Sequence, residues 1–195
     1  MEKDVVIVIP AYQPNEKIMA EFMAEVKENF EHIVIVDDGS GEEQAPFFKH
    51  MKEEGFDLLI HNVNQGKGRA LKTAINHVLN NYPDAIGMVA ADCDGQHCVK
   101  DILKVVERLK EKPDSLVIGC RDFDKENVPL RSQFGNKMTR GIFASFVGLK
   151  ITDTQSGLRA FGKDVMRAFM KVAGERYEYE TNMLIACKEK DINYE

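Results

Sequence analysis

The sequence lacks the long hydrophobic run that a membrane-spanning helix needs, since none of its 195 residues belong to a stretch of roughly 20 consecutive apolar residues. We therefore expect any membrane contact of this chain to be peripheral. The sequence also lacks a C-x-x-C pair, because its four cysteines are scattered: Cys93, Cys98, Cys120 and Cys187. We expect free thiols in a reducing cytoplasm, and the spacing is poor for a zinc site with His97.

Internal repeats and low-complexity linkers are absent as well, and the length suits one domain, residues 1–195, with a sizeable core. A net charge of −6 argues against general nucleic-acid binding. The charge is uneven, however. Residues 121–171 hold ten Lys and Arg against five Asp and Glu, whereas residues 1–120 hold 13 against 21. The basic segment suits an anionic partner.

Strand-like and helix-like patterns alternate over the first 120 residues. The strand-like runs are β-branched and apolar, at residues 4–9, 32–36, 57–60, 85–91 and 115–119. Helical spacing of apolar residues occupies the intervals between them, including residues 41–54. This alternation predicts an α/β fold with a mostly parallel central sheet and helices on both faces. In such sheets ligands bind at the carboxyl ends of the strands, where most polar motifs of this sequence fall.

Two later segments carry further predictions. Residues 130–149 combine basic and apolar residues and predict a helix. That helix either covers the sheet or lies at a membrane surface, with Arg131, Lys137 and Arg140 toward the head groups. The chain ends with a predicted helix in EYETNMLIACKEK and the start of a strand in DINYE. We therefore expect these residues to be a piece of a longer protein that is truncated at its C-terminus.

The segment VAADCDGQH places two acids, Asp92 and Asp94, at the end of an apolar strand. In an extended backbone such residues point to the same side, and two neighbouring carboxylates repel each other unless a cation lies between them. Oxygen ligands of this kind suit Mg²⁺ or Mn²⁺, and the amide of Gln96 could add a neutral ligand. The alternative is a loop of solvated acids, which is common in turns.

Two further motifs follow other strands. Asp37-Asp38-Gly39-Ser40 predicts a turn in which Gly39 takes a positive φ and Ser40 caps a helix, and an acid there could also accept hydrogen bonds from a ribose or a base. NQGKGRA, residues 64–70, puts two glycines and two cations at a helix start. Its backbone N–H groups favour phosphate, although a simple glycine-rich turn explains the segment equally well.

Taken in order, these segments resemble a known family. The matching stretches are VVIVIPAYQPNE, IVIVDDGSG, NQGKGRALKTA, ADCDGQH, RSQFGNKMTR, DTQSGLRAF and RYEYETNML. They are similar to family 2 glycosyltransferases with the GT-A (Rossmann-like) fold. More narrowly they resemble polyprenyl-phosphate (dolichyl-phosphate) hexose synthases, especially bacterial proteins in which this domain precedes a GtrA-like membrane domain. The resemblance covers residues 4–187.

The resemblance implies nucleotide-binding and metal-binding roles by position. The residues that would hold or approach the base, ribose and nucleotide are Pro10, Ala11, Tyr12, Asp37, Asp38, Gly66 and Lys67. The D-x-D-x-Q metal pattern falls on Asp92, Asp94 and Gln96, with Asp92 also facing the substrate. Cys93 is a departure, because Ala is commoner between the two acids.

The resemblance also implies residues for the phosphates and the sugar. Arg121, Arg131 and Ser156 lie where the family binds the acceptor phosphate or the donor diphosphate, and the predicted catalytic set is Asp94, Arg121 and Arg131. Arg159 belongs to an SGLR element whose family form is usually SGFR. The acidic pattern near the sugar pocket falls on Glu178 and Glu180.

The implied activity is metal-dependent transfer of a hexose, with inversion, from a nucleotide sugar to a polyprenyl or dolichyl phosphate at the cytoplasmic side of the cell membrane. UDP-glucose is the expected donor, and membrane attachment would come from the missing C-terminal domain. The alternative is a GT-A enzyme of cell-surface polysaccharide synthesis that glycosylates a saccharide or other hydroxyl acceptor, with Glu178 or Glu180 as base. A nucleotidyltransferase would carry a glycine-rich phosphate loop where this chain has PAYQPNE. A non-catalytic sensor would not need the Asp92/Asp94 pair.

Overall fold

The computed structural model describes residues 1–119 and 157–195. Within these residues the strands are β1 (Glu2–Ala11), β2 (Phe30–Asp37), β3 (Asp57–Ile60), β4 (Gly87–Ala90), β5 (Ser115–Ile118), β6 (Arg159–Gly162) and β7 (Asn193–Tyr194). The α-helices are α1 (Glu16–Asn29), α2 (Ala45–Glu53), α3 (Lys67–Asn81), α4 (Val99–Glu111), α5 (Lys163–Phe169) and α6 (Glu178–Glu189). A short 3₁₀ helix, Glu42–Gln44, precedes α2.

The strands form one sheet in the order β3-β2-β1-β4-β6-β5-β7. Strand β6 runs antiparallel to both of its neighbours, β4 and β5, and the other pairings are parallel. The predicted mostly parallel sheet is therefore confirmed. Strand β6 was not predicted, because its four residues, RAFG, show neither a β-branched run nor an alternating pattern.

Alternate residues of the central strand β1 face two separate cores. Val6 and Val8 pack with side chains of α3, α5 and α6, whereas Val5, Ile7 and Ile9 pack with side chains of α1, α2 and α4. All five are completely buried. A strand that is covered on both faces reads as a continuous apolar run, which explains the sequence VVIVI and confirms helices on both sides of the sheet.

Two predicted details near β2 differ from the structure. The predicted helix over residues 41–54 begins as the 3₁₀ turn, and α2 itself starts at Ala45 with a proline in its first turn. Ser40 was predicted to cap this helix, and that prediction is wrong. The Ser40 hydroxyl instead accepts a hydrogen bond from the backbone N–H of Gln13, 2.9 Å away, so it ties the end of β2 to the segment after β1.

The carboxyl ends of β1, β2 and β4 meet at one edge of the sheet, at Ala11, Asp37 and Ala90. Because β6 is antiparallel, its first residue, Arg159, lies at this same edge, opposite Ala90. No helix of the described ranges is long and apolar enough to cross a membrane. The helix predicted over residues 130–149 lies outside the described residues.

Candidate active site

A cleft of about 390 Å³ opens at the carboxyl edge of the sheet. Its floor and walls come from the ends of β1, β2 and β4, from the start of α3 and from the segment before α6. Eight residues predicted to bind substrate or metal line it: Pro10, Ala11, Tyr12, Asp38, Gly66, Lys67, Asp92 and Asp94. The remaining lining residues are Asn64, Ala70, Cys93, Arg176 and Tyr177. The strand ends therefore converge on one cleft, as the order of the motifs predicted.

A row of charged groups crosses the base of the cleft. The Lys67 ammonium lies 2.7 Å from Asp92 Oδ1 and 3.1 Å from Glu180 Oε1. The His97 ring lies 3.8 Å from the other oxygen of Asp92. On the far side, the guanidinium of Arg159 is 3.7 Å from Glu180 Oε1 and donates to the Glu180 backbone carbonyl at 2.6 Å. From Asp92 through Lys67 and Glu180 to Arg159, negative and positive charges therefore alternate.

These contacts fix the protonation of Asp92 and Lys67. Burial alone would raise the pKa of Asp92, but the His97 imidazole and the Lys67 ammonium lower it far below its usual range. Burial would likewise lower the pKa of Lys67, and the charges of Glu180 and Asp92 raise it above its ordinary value. At neutral pH Asp92 is thus a carboxylate and Lys67 an ammonium, which makes Asp92 available as an anionic ligand.

Asp94 occupies a different environment from Asp92. The backbone turns after β4 and Gly95 has φ +76°, so the two acids do not follow the extended geometry predicted for them. Asp94 is exposed and accepts hydrogen bonds from the backbone N–H of Gln96 at 3.0 Å and from its side-chain amide at 2.7 Å. Both acids still line the same cleft, and Gln96 lies directly beside Asp94.

This donor set fits a hard divalent cation that shares its coordination with a ligand. Asp92 and Asp94 supply carboxylate oxygens and Gln96 an amide side chain, and such oxygen groups suit Mg²⁺ or Mn²⁺. Residues 1–119 and 157–195 contain no group of three or more His, Cys, Asp or Glu side chains placed to hold a metal ion. A cation here would thus rely on few protein ligands, as Mg²⁺ does when substrate phosphates complete its shell.

Asp38 is buried, with 3% of its surface exposed, and its carboxylate organises the loop before α3. Oδ1 contacts the His61 ring at 2.7 Å and accepts from the backbone N–H of Gln65 at 3.0 Å. Oδ2 accepts from the Asn64 amide at 3.1 Å and from the backbone N–H of Gly66 at 2.7 Å. Four partners fill the usual capacity of a carboxylate. These contacts favour the turn interpretation of NQGKGRA, since two of its backbone N–H groups are bound to Asp38.

Asp37 lies beside the cleft but does not line it. It is 5% exposed, and its Oδ1 accepts a hydrogen bond from the backbone N–H of Ser40 at 2.9 Å. Gly39 has φ +76°, and a Cβ there would lie 2.3 Å from the carbonyl carbon of Val63. The predicted turn with a left-handed glycine is therefore confirmed, and this glycine also lets the loop after β3 pack closely against β2.

The SGLR element supports Asp92 from behind. Arg159 is 2% exposed and does not line the cleft, so its guanidinium positions Glu180 in this structure. Gly157 packs directly on Asp92, because a Cβ at that position would come within 2.0 Å of Asp92 Oδ2. The glycine of this element is thus explained by the space that the Asp92 carboxylate occupies.

The residues before α6, which we call the 173–177 loop, form one wall of the cleft. Arg176 and Tyr177 on this loop line the cleft, and sequence reasoning did not assign them. A basic and an aromatic residue directly before a predicted helix were the available signal. Glu178 points back at the loop instead of into the cleft: its Oε1 accepts from the backbone N–H groups of Glu175 and Arg176 at 3.0 and 3.2 Å. These N–H bonds lower the pKa of Glu178.

Arg121, Arg131 and Ser156, which were predicted to bind phosphate, lie outside the described residues. Their roles, and those of the other residues assigned by position, stay predictions.

The comparison with known sequences identifies the family. The profile of glycosyl transferase family 2 matches residues 6–169. An uncharacterized protein of Methanocaldococcus jannaschii is 34% identical over 190 residues, which cover 95% of this chain and 76% of that protein. The UDP-N-acetylglucosamine–dolichyl-phosphate N-acetylglucosaminyltransferase of Methanococcus voltae is 29% identical over 210 residues, with 98% of this chain and 83% of that protein covered.

A solved structure shares the architecture. Glucosyl-3-phosphoglycerate synthase from Mycobacterium tuberculosis, crystallised with Mn²⁺, UDP and glucosyl-3-phosphoglycerate, matches with a TM-score of 0.73. The match covers 97% of this chain and 68% of that chain at 16% identity, so it bears on the fold alone. The profile match spans most of the chain, and the sheet, the cleft and the order of the motifs agree with it. This chain is a glycosyltransferase and belongs to glycosyl transferase family 2.

Proposed function

We propose that this glycosyltransferase moves a hexose from a UDP-sugar to a polyprenyl or dolichyl phosphate in a reaction that needs a divalent cation and inverts the anomeric carbon. The observation that carries the proposal is the cleft lined by ionised Asp92, which is paired with Lys67, and by exposed Asp94. The Methanococcus voltae relative, which is named for a dolichyl-phosphate acceptor, supports the lipid phosphate.

The donor end of the cleft matches a nucleotide diphosphate. Pro10, Ala11 and Tyr12 offer an apolar and aromatic surface to the base, with Tyr12 49% exposed. Asp92, Asp94 and Gln96 would hold Mg²⁺ or Mn²⁺, whose chemistry is to neutralise the charge that develops on the departing diphosphate. Lys67 adds a fixed positive charge 2.7 Å from Asp92 and keeps that carboxylate ionised.

The acidic residues near the cleft favour a phosphate over a hydroxyl acceptor. A phosphate is already ionised at neutral pH and needs no strong base, whereas a hydroxyl acceptor requires a positioned carboxylate. Glu180 is paired with Lys67, and Glu178 accepts two backbone N–H bonds. Both candidate bases of the alternative function are thus engaged within the described residues, which supports the phosphate acceptor.

Donor binding is tested by a thermal-shift panel of UDP-glucose, UDP-N-acetylglucosamine, GDP-mannose and UDP, each with and without Mn²⁺. A ligand at 100 times its Kd stabilises a protein by about 2.7 kcal/mol, which corresponds to roughly 5–11 °C for a chain of this size. We expect this shift for a UDP-sugar only with the cation. A Tm shift of the same size with and without Mn²⁺ would contradict the proposal.

A matched pair of variants separates the cation from general charge effects. Asp94→Ala removes an exposed cleft acid, and Asp114→Ala removes an exposed acid that does not line the cleft. We expect Asp94→Ala to abolish the Mn²⁺-dependent part of the shift and Asp114→Ala to keep it.

The acceptor is tested by incubating each donor with a polyprenyl phosphate and with a free sugar. Transfer to the sugar alone, or a product with retained anomeric configuration, would refute the assignment.

A further inference from the structure

We propose that Arg176 binds the diphosphate of the donor and that the 173–177 loop is built to hold this guanidinium at the cleft. The inference rests on the proposed function, because it assumes a nucleotide diphosphate in the cleft. It adds a phosphate-binding residue from the segment before α6 to the groups predicted at the strand ends.

Close backbone approach fixes the loop against the start of α3. A Cβ on Gly66 would lie 2.5 Å from both Arg176 Cγ and the Glu175 carbonyl oxygen. A Cβ on Gly68 would lie 2.8 Å from the carbonyl carbon of Glu175 in the loop and 2.6 Å from Cβ of Tyr179 in α6. Only glycine fits at these two positions without a shift of the neighbouring backbone or side chain. The two glycines of the NQGKGRA segment are therefore explained by the contact between this segment and the loop.

Polar contacts hold the same interface. The backbone N–H of Arg69 donates to the Glu175 carbonyl at 2.8 Å, and the Arg69 guanidinium lies 2.6 Å from the Glu175 carboxylate. The buried Lys72 ammonium donates to the Gly174 carbonyl at 2.8 Å and to Glu175 at 3.2 Å. On the other side Glu178 accepts from the backbone of Glu175 and Arg176. The loop is thus fixed at several backbone positions, while the side chain of Arg176 extends to the cleft.

The charge balance at the cleft points to Arg176 as the cation for an anionic ligand. Lys67 is paired with two carboxylates, and Arg69 and Lys72 are both turned toward Glu175. Within residues 1–119 and 157–195, no carboxylate lies within 4.0 Å of the Arg176 guanidinium, although its charge helps the backbone N–H bonds to lower the pKa of nearby Glu178; the guanidinium donates only to Asn64 Oδ1, at 3.3 Å. A guanidinium carries five N–H donors, so the rest of this group can reach phosphate oxygens.

The contact with Asn64 also orients Arg176. Asn64 uses its amide N–H on the Asp38 carboxylate, at 3.1 Å, and its oxygen on Arg176. This arrangement leaves the amide in one orientation, with its oxygen toward the guanidinium. Arg176 is therefore held between Asn64 and the open cleft, so its side chain loses less conformational entropy when it binds a ligand.

The test compares UDP with uridine, because only UDP carries the phosphates. Binding of each to wild type, Arg176→Ala and Arg176→Gln is measured with Mn²⁺ present, by calorimetry for UDP and by NMR titration to millimolar concentration for uridine. A charge-assisted hydrogen bond corresponds to roughly a 10- to 100-fold change in affinity. We expect the Kd for UDP to rise by that factor in both variants, with the Kd for uridine unchanged. Arg176→Gln keeps a donor for Asn64 and so isolates the charge.

A matched control is Arg167→Ala, since Arg167 is an exposed arginine of α5 that does not line the cleft. Arg167→Ala should leave the affinities for UDP and uridine unchanged. If it weakened UDP binding as much as Arg176→Ala does, the weaker binding would be due to net charge alone, and the inference would be overturned. If the Arg176 variants lost affinity for UDP and uridine equally, Arg176 would maintain the shape of the loop and not bind the phosphates, which would also overturn the inference. Unchanged UDP binding overturns it while the proposed function stands. Failure of wild type to bind UDP overturns both. Circular dichroism checks that each variant is folded.

Discussion

Replacement of Asp38 by alanine tests whether one buried carboxylate organises the loop that lines the cleft. The carboxylate is 3% exposed and has four partners: His61, Asn64 and the backbone N–H groups of Gln65 and Gly66. Alanine removes the shared acceptor and leaves these donors without it. Those that remain buried cannot turn to water, so the loss exceeds that of an ordinary hydrogen bond.

The magnitude follows from which partners stay buried. Gly66 is buried and the His61 side chain is 9% exposed, whereas Gln65 is exposed and Asn64 is half-buried, so those two regain water. A buried donor left unsatisfied costs about 1–3 kcal/mol. Two such groups, together with partial losses at the other two, give a destabilisation of about 3–5 kcal/mol. For a chain of this size that corresponds to a Tm lower by roughly 6–20 °C.

The assay is urea unfolding at constant m-value, together with UDP titration at a temperature where the variant is folded. Asn64 and Gly66 line the cleft, so we expect the affinity for UDP to fall along with stability. The neighbouring Asp37→Ala is the control, because Asp37 is equally buried and its side chain accepts one hydrogen bond, from Ser40, in the described structure. We expect it to cost about 1 kcal/mol. If Asp38→Ala were no more destabilising than Asp37→Ala, the organising role of Asp38 would be refuted.

Three further outcomes are expected. Gly157→Ala should displace Asp92, because the new Cβ would lie 2.0 Å from its Oδ2, and a misplaced group at the reacting centre should lower kcat by roughly 10-fold or more at saturating Mn²⁺. Wild-type turnover would contradict this. Lys67→Met should cost about 1–3 kcal/mol at pH 7, because the carboxylates of Asp92 and Glu180 lose their shared cation and keep His97 and Arg159 beside them. Because the folded state lowers the pKa of Asp92, this carboxylate stabilises the protein at pH values above its unfolded pKa near 4, and that stabilisation is lost as the pH falls. The difference in free energy of unfolding between wild type and Lys67→Met, measured with urea, should therefore become smaller in acid; a larger difference in acid would contradict this. Burial first, and then the charges of Asp92 and Asp94, raise the pKa of the Cys93 thiol to about 11, so peptide mapping at pH 8 should find it alkylated roughly 100-fold more slowly than an ordinary exposed thiol. Equal rates for Cys93 and the exposed Cys98 would show that the thiol is not protected.

The sequence predicted those parts of the fold that depend on local periodicity. The run VVIVI reads as a strand buried on both faces because successive side chains of β1 enter two different cores. The turn at Gly39 was predictable because an Asp-Gly pair after a strand signals a turn, and Gly39 takes the positive φ of +76° that such a turn needs. In both cases the physical cause and the sequence signal involve the same few residues.

The parts that were not predicted depend on contacts between distant segments. Strand β6 is a strand because it pairs on both sides, with β4 and β5, and its own four residues carry no periodic signal. The turn at Gly95, which removed the extended geometry expected for Asp92 and Asp94, was signalled by the Asp-Gly pair, but the apolar strand before it dominated the interpretation. Arg176 reached the cleft through packing of its loop on two glycines more than 100 positions earlier in the chain.

The charged row across the cleft combines residues that local patterns predicted with contacts between distant segments. Lys67 belongs to α3, Asp92 follows β4, Arg159 begins β6 and Glu180 lies in α6, so the row exists only when four separate segments are in register. Arg159 lies opposite Ala90 in the sheet, and a shift of β6 by one residue would turn its side chain to the other face. Glu180 would then lose its buried guanidinium partner, and Lys67 would be the only one of the two cations left beside it. The antiparallel strand that local pattern could not reveal therefore completes the row, because it places the Arg159 guanidinium beside Glu180.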